Sequence, residues 1–97
     1  MFYEDIPNAP TGSVIDVRSE EEFYLMHVDG SINIPLDLLF YYLDELEELP
    51  NPWIFCCEEG VRSGRAVFLL RMIGHEDVYN GGRWIDIDHA RQKMAAA

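Results

Sequence analysis

Basic side chains are scarce in this chain of 97 residues: 7 Lys and Arg stand against 18 Asp and Glu, for a net charge of -11 at pH 7. That balance disfavours the phosphate backbone of nucleic acids and anionic membrane surfaces, so neither is expected as a partner; a basic or neutral one is easier to accommodate. Cysteine is scarcer still, confined to Cys56 and Cys57. Neighbouring cysteines cannot staple a fold, because a bridge between them is strained and closes almost no loop, so reduced thiols in a reducing compartment are expected. Apolar runs extend over a few residues only, and the opening MFYEDIPNAP has neither the basic nor the apolar stretch of a secretory signal. A soluble, cytoplasmic protein is the expectation. With 48% hydrophobic residues the chain can build one core, and it reads as one domain, 1–97, without repeats, low-complexity tracts or linkers.

What is present alternates between strand and helix signals. Ser13 to Val17 is a β-branched run after Pro10 and Gly12, and Ser19 with Glu22 makes a capping box that opens a short helix. Gly30 breaks the chain before a second strand, Ser31 to Ile34, which Pro35 stops. Between Leu36 and Leu49 the apolar residues fall three or four apart, with Asp37, Asp44, Glu45, Glu47 and Glu48 on the other side, which predicts one amphipathic helix with a solvated acidic face. After Pro50-Asn51-Pro52, Trp53 to Cys57 reads as a buried strand, Arg62 to Ile73 as a helix closed by Gly74, and Asp77 to Tyr79 as a last strand before a Gly81-Gly82 turn. Trp84 to about Lys93 is compatible with a final helix, and Ala95 to Ala97 with a frayed tail. This order predicts an α/β protein with a mainly parallel sheet.

The chemistry concentrates in IFCCEEGVRSGR, Ile54 to Arg65. Ligands collect beyond the carboxyl ends of parallel strands, and Cys57 stands at such an end. Cys57 to Arg62 reads as a six-residue connection to a helix beginning near Ser63, with Gly60 free to take a conformation other residues resist. A tight loop of this kind turns backbone N–H groups inward and adds the positive end of a helix dipole, a cradle for an anion. If the anion is the Cys57 thiolate, its pKa falls and its nucleophilicity is exposed, while Arg62 offers a charged fork to an oxyanion. Adjacent strand residues face opposite ways, so Cys56 is expected to pack in the core, with a resolving thiol as the alternative. The same alternation disfavours a Cys–Cys metal clamp, and His27, His75 and His89 show no ligand spacing with it, so no metal is expected.

At these residues the chain resembles the rhodanese family of sulfurtransferases, whose active loop reads Cys-x-x-Gly-x-Arg-Ser, here Cys57, Gly60, Arg62 and Ser63. Upstream, Asp16-Val17-Arg18, Glu22-Phe23 and His27 to Pro35 are similar to the family's motifs, and Gly74 to Asn80, Gly81-Gly82 and Trp84 to its closing strand and turn. The resemblance covers roughly residues 13 to 84. It implies a three-layer α/β/α fold around a four- or five-stranded sheet and a two-step reaction without cofactor or metal. In the first step Cys57 takes sulfane sulfur from thiosulfate or a persulfide. A thiol, cyanide or a protein then removes it. The loop Glu58, Glu59, Gly60, Val61, Arg62 and Ser63 would hold the sulfur and the donor, with Asp16 and Arg18 bracing it, or acting as a plain ion pair. It further implies a hydrogen-bonding role for His27 in its turn, whereas His75 and His89 read as surface residues, and Phe23 and Trp84 as core, with Trp84 placed to wall the pocket.

Four departures from the family pattern stand out. Met26 replaces a usual Gly, the Asn80 to Gly81 connection lacks about two residues, and the N-terminal region is too brief for a further edge strand. Glu58 and Glu59 replace polar or basic loop residues. A carboxylate about 6 Å from one charge of a donor costs roughly 0.7 kcal/mol in water-like surroundings and about 3 at an effective dielectric of 20. Thiosulfate binding would then weaken roughly threefold to a hundredfold or more, which favours a protein or a less anionic thiol as donor or acceptor, unless the glutamates are merely solvated. Two alternatives accompany this reading. One is a sulfur-carrying or sensing module without turnover. The other is a cysteine phosphatase or arsenate reductase, disfavoured because such loops run Cys-x5-Arg whereas four residues separate Cys57 from Arg62.

Overall fold

The computed structural model describes residues 2–96. Strands β1 (Ser13–Asp16), β2 (Ile32–Asn33), β3 (Trp53–Cys57) and β4 (Val78–Arg83) form one sheet in the order β2-β1-β3-β4, every neighbouring pair parallel. Helices α1 (Glu20–Leu25), α2 (Leu43–Glu47), α3 (Val61–Met72) and α4 (Trp84–Ala96) connect and follow them. The sheet has four strands, as expected, and residues 2–12 form single 3-10 turns at Tyr3–Asp5 and Ala9–Thr11 rather than a further strand.

The pleat of the central strands builds a core on each face. Ile15, Val17, Phe55 and Cys57 pack with Leu39, Leu46, Ala66 and Leu70 on one side. Val14, Ile54 and Cys56 pack with Tyr3, Ile6, Ile87 and Ala90 on the other. Three layers result, with α2 and α3 covering one face and α4 with the N-terminal turns covering the other. Parallel strands covered on both faces read as continuous apolar runs, which is why WIFCC carries no alternation.

Several expectations require correction. Leu36 to Leu49 is not one helix: a 3-10 turn at Leu36–Leu38 leads through turns to α2, with i−3 and i−4 hydrogen bonds interleaved. The consecutive aromatics Phe40, Tyr41 and Tyr42 are weaker helix formers than Leu or Glu and occupy the break. The apolar spacing identified most of the inward residues: Leu39 and Leu46 are buried, Leu36, Leu43 and Leu49 pack against the same core, and the five acidic residues are exposed, but Phe40 is exposed as well. Next, α3 begins at Val61, so Val61, Arg62 and Ser63 form its first turn and only Glu58, Glu59 and Gly60 lie between strand and helix. Lastly, the helix α4 continues through Ala95 and Ala96; the remaining residue of the expected frayed tail, Ala97, lies outside the described residues.

Gly81-Gly82 is part of β4 rather than a turn beyond it. Phe55 pairs with Asn80 but Cys56 with Gly82, so Gly81 is an extra residue in β4, a bulge facing the end of β3. A Cβ there would lie 2.7 Å from Ile87 Cδ1, 2.8 Å from Ile54 Cγ2 and 3.2 Å from the Phe55 carbonyl oxygen. Overpacking at a fixed backbone contact costs about 1–3 kcal/mol, so Gly81→Ala is expected to lower the urea midpoint by a corresponding amount. An unchanged midpoint would show that β4 relaxes freely.

Candidate active site

The site is organised by the end of β3 and the start of α3. Gly60, at φ +91°, is the N-cap of α3 and supplies no side-chain cap. The Cys57 sulfur occupies that place, accepting the Gly60 N–H at 3.0 Å and the Ser63 N–H at 3.4 Å, with Ser63 Oγ 3.3 Å away. Cys57 is 1% exposed. Burial alone would raise its pKa, but hydrogen bonds from the Ser63 hydroxyl and the Ser63, Gly60 and Glu59 N–H groups outweigh it, and the thiol sits below its ordinary value. Cys56, on the opposite face, is fully buried among apolar side chains, and burial pushes its thiol up. One peptide unit thus separates an ionisable thiol from an inert one.

Arg62 is engaged elsewhere. Its Nη1 and Nη2 donate to Glu22 Oε1 and Oε2 at 2.7 and 3.0 Å. Glu22 also closes the capping box with Ser19 at the start of α1. The Arg62 hydrogen bonds, and then the Ser19 N–H, hold the Glu22 carboxyl down at about 2 from a usual 4.5. The fork expected to orient a donor therefore faces an internal carboxylate from 40 residues upstream. An open groove beside it is lined by Val17, Pro35, Leu36, Arg62, Arg65 and Leu69.

Asp16 and Arg18 are a buried pair. Arg18 Nε and Nη2 donate to the Asp16 carboxylate at 2.8–3.1 Å, and Nη2 also donates to the Met26 carbonyl at 2.7 Å. Met26, standing where the family usually has Gly, is accommodated in extended backbone at φ -158°. The Arg18 guanidinium lies over the Trp84 ring at 4.8 Å, and Trp84 Nε1 donates to Glu58 Oε2 at 3.0 Å. Glu58 is thereby tied to α4 and lies 3.8 Å from Arg18 Nη1, while Glu59 is exposed without a side-chain partner among the described residues. Asp16 and Arg18 so reach the loop through Trp84 and Glu58. His27 Nδ1–H donates to the Phe23 carbonyl at 2.7 Å, and its ring stacks on that of Phe23, which is only half-buried. His89 is exposed; His75 is partly buried against Trp53.

Two contributors escaped the sequence reading. Asn33 Nδ2 donates to the Asp16 and Arg18 carbonyls, fixing the backbone that carries the ion pair. Asn80 donates to the Gly60 carbonyl at 3.0 Å and accepts from Ser63 Oγ at 2.7 Å and the Gly82 N–H at 3.0 Å. Its only sequence signal is its position just before the Gly-Gly pair. Among the described residues no cluster of three or more His, Cys, Asp or Glu is placed to hold a metal, and no helix is long and apolar enough to cross a membrane.

A sequence-family model described as "Rhodanese-like domain" matches residues 2–82. This chain belongs to that family. Among curated rhodanese-type relatives, thiosulfate sulfurtransferase PspE of Escherichia coli is 35% identical over 74 residues, 75% of this chain and 71% of the relative. Uncharacterized protein YqhL of Bacillus subtilis is 40% identical over 67 residues, 69% of this chain; the match spans about half, 52%, of that relative's length. A solved rhodanese with anions from E. coli superposes with a TM-score of 0.69 at 32% identity, covering 76% of this chain and 88% of that one. In this rhodanese-like chain the Cys-x-x-Gly-x-Arg-Ser residues are the ones that surround the Cys57 sulfur, with Arg62 turned aside to Glu22.

The depressed Glu22 carboxyl has a definite sign in stability. Its contribution is complete above pH 4.5, where an unfolded carboxyl is ionised, and is lost as pH falls toward about 2. Both partners are more than a third exposed, so solvent screening limits the contribution to about 1 kcal/mol or less. Glu22→Gln keeps the capping box and removes the charge. The difference in urea midpoint between wild type and Glu22→Gln is expected to shrink steadily between pH 4.5 and pH 2; a constant difference would exclude the ion pair as its source.

Proposed function

We propose that this protein is a sulfurtransferase that carries sulfane sulfur on Cys57 as a persulfide, the described segment working as one domain. The observation that carries the reading is the sulfur itself: a nearly enclosed Cys57 Sγ receives N–H groups from Gly60 and Ser63 at the amino end of α3. In the first step the Cys57 thiolate attacks the outer sulfur of a donor. A new S–S bond forms, the donor's own bond to that sulfur breaks, and sulfite or a thiolate leaves with the electron pair. In the second step a thiol, cyanide or protein nucleophile attacks the outer sulfur, and the Cys57 thiolate leaves into the same cradle. The N–H groups stabilise the anionic sulfur before and after transfer without reorganising. No cofactor or metal takes part in either step.

The surrounding charge favours a donor of low negative charge. Arg62 is matched by Glu22 and Arg18 by Asp16 and Glu58, which leaves Arg83, the register partner of Cys57, as the nearby cation without a carboxylate partner among the described residues. Glu59 adds an exposed negative charge, on a chain of net charge -11. A thiol-borne or protein-borne persulfide, presented by a neutral or basic partner, fits this environment better than thiosulfate. Two unbridged thiols suit a reducing compartment such as the cytoplasm.

Intact mass spectrometry after exposure to thiosulfate or an alkyl persulfide tests the carrier. Wild type and Cys56→Ser are expected to gain one sulfur atom, and Cys57→Ser none; gain by Cys57→Ser with loss in Cys56→Ser would overturn the assignment. The charge argument is tested separately with Glu58→Gln/Glu59→Gln. Its KM for thiosulfate is expected to fall by about threefold to a hundredfold, more at low salt than at high. An unchanged KM would remove the glutamates from donor selection.

A further inference from the structure

Ser63 Oγ has one proton and two neighbours that can take it. Asn80 Oδ1 lies 2.7 Å away, the preferred separation for an O–H···O bond, and the Cys57 sulfur lies 3.3 Å away on the other side. The orientation of the Asn80 amide is fixed by its surroundings. Nδ2 donates to the Gly60 carbonyl, and Oδ1 accepts the Gly82 N–H. Turning the amide over would set N–H against N–H and C=O against C=O, so an acceptor always faces Ser63.

Two protonation states of Cys57 then demand two arrangements. With a thiol, every group is satisfied: S–H donates to Ser63 Oγ, and the serine proton goes to Asn80. With a thiolate, sulfur has no proton to give and attracts the strongest available donors. The serine proton must turn toward sulfur, leaving Asn80 Oδ1 with the Gly82 N–H alone. Asn80 therefore favours the thiol form, in opposition to the helix N–H groups, which favour the thiolate.

We propose that Asn80 is a positioning residue that competes with Cys57 for the Ser63 hydroxyl proton and so limits how readily the sulfur ionises. The bulge at Gly81 aims it. The extra residue in β4 brings the Asn80 side chain onto the loop, and the missing Cβ of Gly64 leaves room for it, since a Cβ there would lie 3.1 Å from Nδ2. The benefit is chemical. Attacking thiols lose intrinsic nucleophilicity as their pKa falls and work best with a pKa near ambient pH, so an unopposed cradle would make an abundant but sluggish thiolate.

The proposal rests on Cys57 being the reacting sulfur, but its test reads ionisation and needs no sulfur transfer. The pH profile of iodoacetamide alkylation at Cys57, localised by fragment mass spectrometry, is measured for wild type, Asn80→Ala, Ser63→Ala and the double variant. Glu58 and Glu59 in the loop, Arg62 on α3, Glu22 on α1 and Arg83 at the end of β4 are the charged groups around the cradle. With the Asp16–Arg18 pair at the end of β1, they are the same in all four proteins. Competition for the proton predicts that Asn80→Ala shifts the midpoint down by about half a unit and that Ser63→Ala shifts it up. Adding Asn80→Ala to Ser63→Ala should give no further decrease. A mere brace for the loop predicts the opposite sign, because a loosened Gly60 N–H serves the thiolate less well; an upward or absent shift in Asn80→Ala overturns the proposal. Should Asn80→Ala fail to fold, the Asn80 side-chain amide 15N resonance of wild type decides. It is expected to titrate at the Cys57 midpoint in wild type and to be flat in Ser63→Ala, and a flat wild-type curve overturns the proposal equally.

Discussion

The first N–H groups of α3 have no hydroxyl or carboxylate at the N-cap to receive them, and a sulfur atom from the preceding strand takes that role. Helix ends leave several donors unpaired, and burying them unmatched costs more than a hydrogen bond normally returns. Here Cys57 at the end of β3 and the start of α3 satisfy each other, with only three residues between them. Gly60, in the left-handed region, directs its N–H onto the sulfur at 3.0 Å. Stability of the helix end and reactivity of the sulfur are therefore one interaction seen from two sides.

Around that contact the structure places charge in closed pairs. The Asp16–Arg18 pair is buried and further held by the Met26 carbonyl and the Trp84 ring, whereas Glu22–Arg62 is partly open to solvent. Both sit at the carboxyl edge of the sheet; Glu22–Arg62 joins residues 40 apart, whereas the Asp16–Arg18 pair is local and reaches a distant part of the chain through the Trp84 ring. The cradle itself consists of backbone dipoles and a hydroxyl; two of the arginines near it are paired, while Glu59 and Arg83 have no charged partner among the described residues.

Local chemistry was legible in the sequence wherever a residue and its partner lie close along the chain. The Ser19–Glu22 capping box, the strand ending at Cys57 and the opposite facing of Cys56 all appear where short-range rules put them. The 36–49 segment shows the limit of periodicity: spacing of three and four identified the buried Leu39 and Leu46, but it does not distinguish interleaved i−3 and i−4 hydrogen bonds from a continuous helix. Gly81-Gly82 reads as a turn by composition, yet Gly81 is required because Ile54 and Ile87 close over it, a tertiary fact. The same holds for Arg62, whose partner lies 40 residues away, and for Asn80, which meets Ser63 across 17. Nothing local marks either contact.

The alternation that sends Cys56 and Cys57 to opposite faces also settles how the protein meets oxidants. A peroxide that converts Cys57 to its sulfenic acid finds no second thiol able to condense with it. The chain's other cysteine is sealed beneath the sheet, and a bridge between neighbours would be strained. Recovery then falls to a small thiol or a partner's cysteine arriving at the loop, the direction from which the proposed acceptor would also approach. Under the proposed carrier role repair and turnover would share one doorway, and over-oxidation would be the fate of a Cys57 left waiting there.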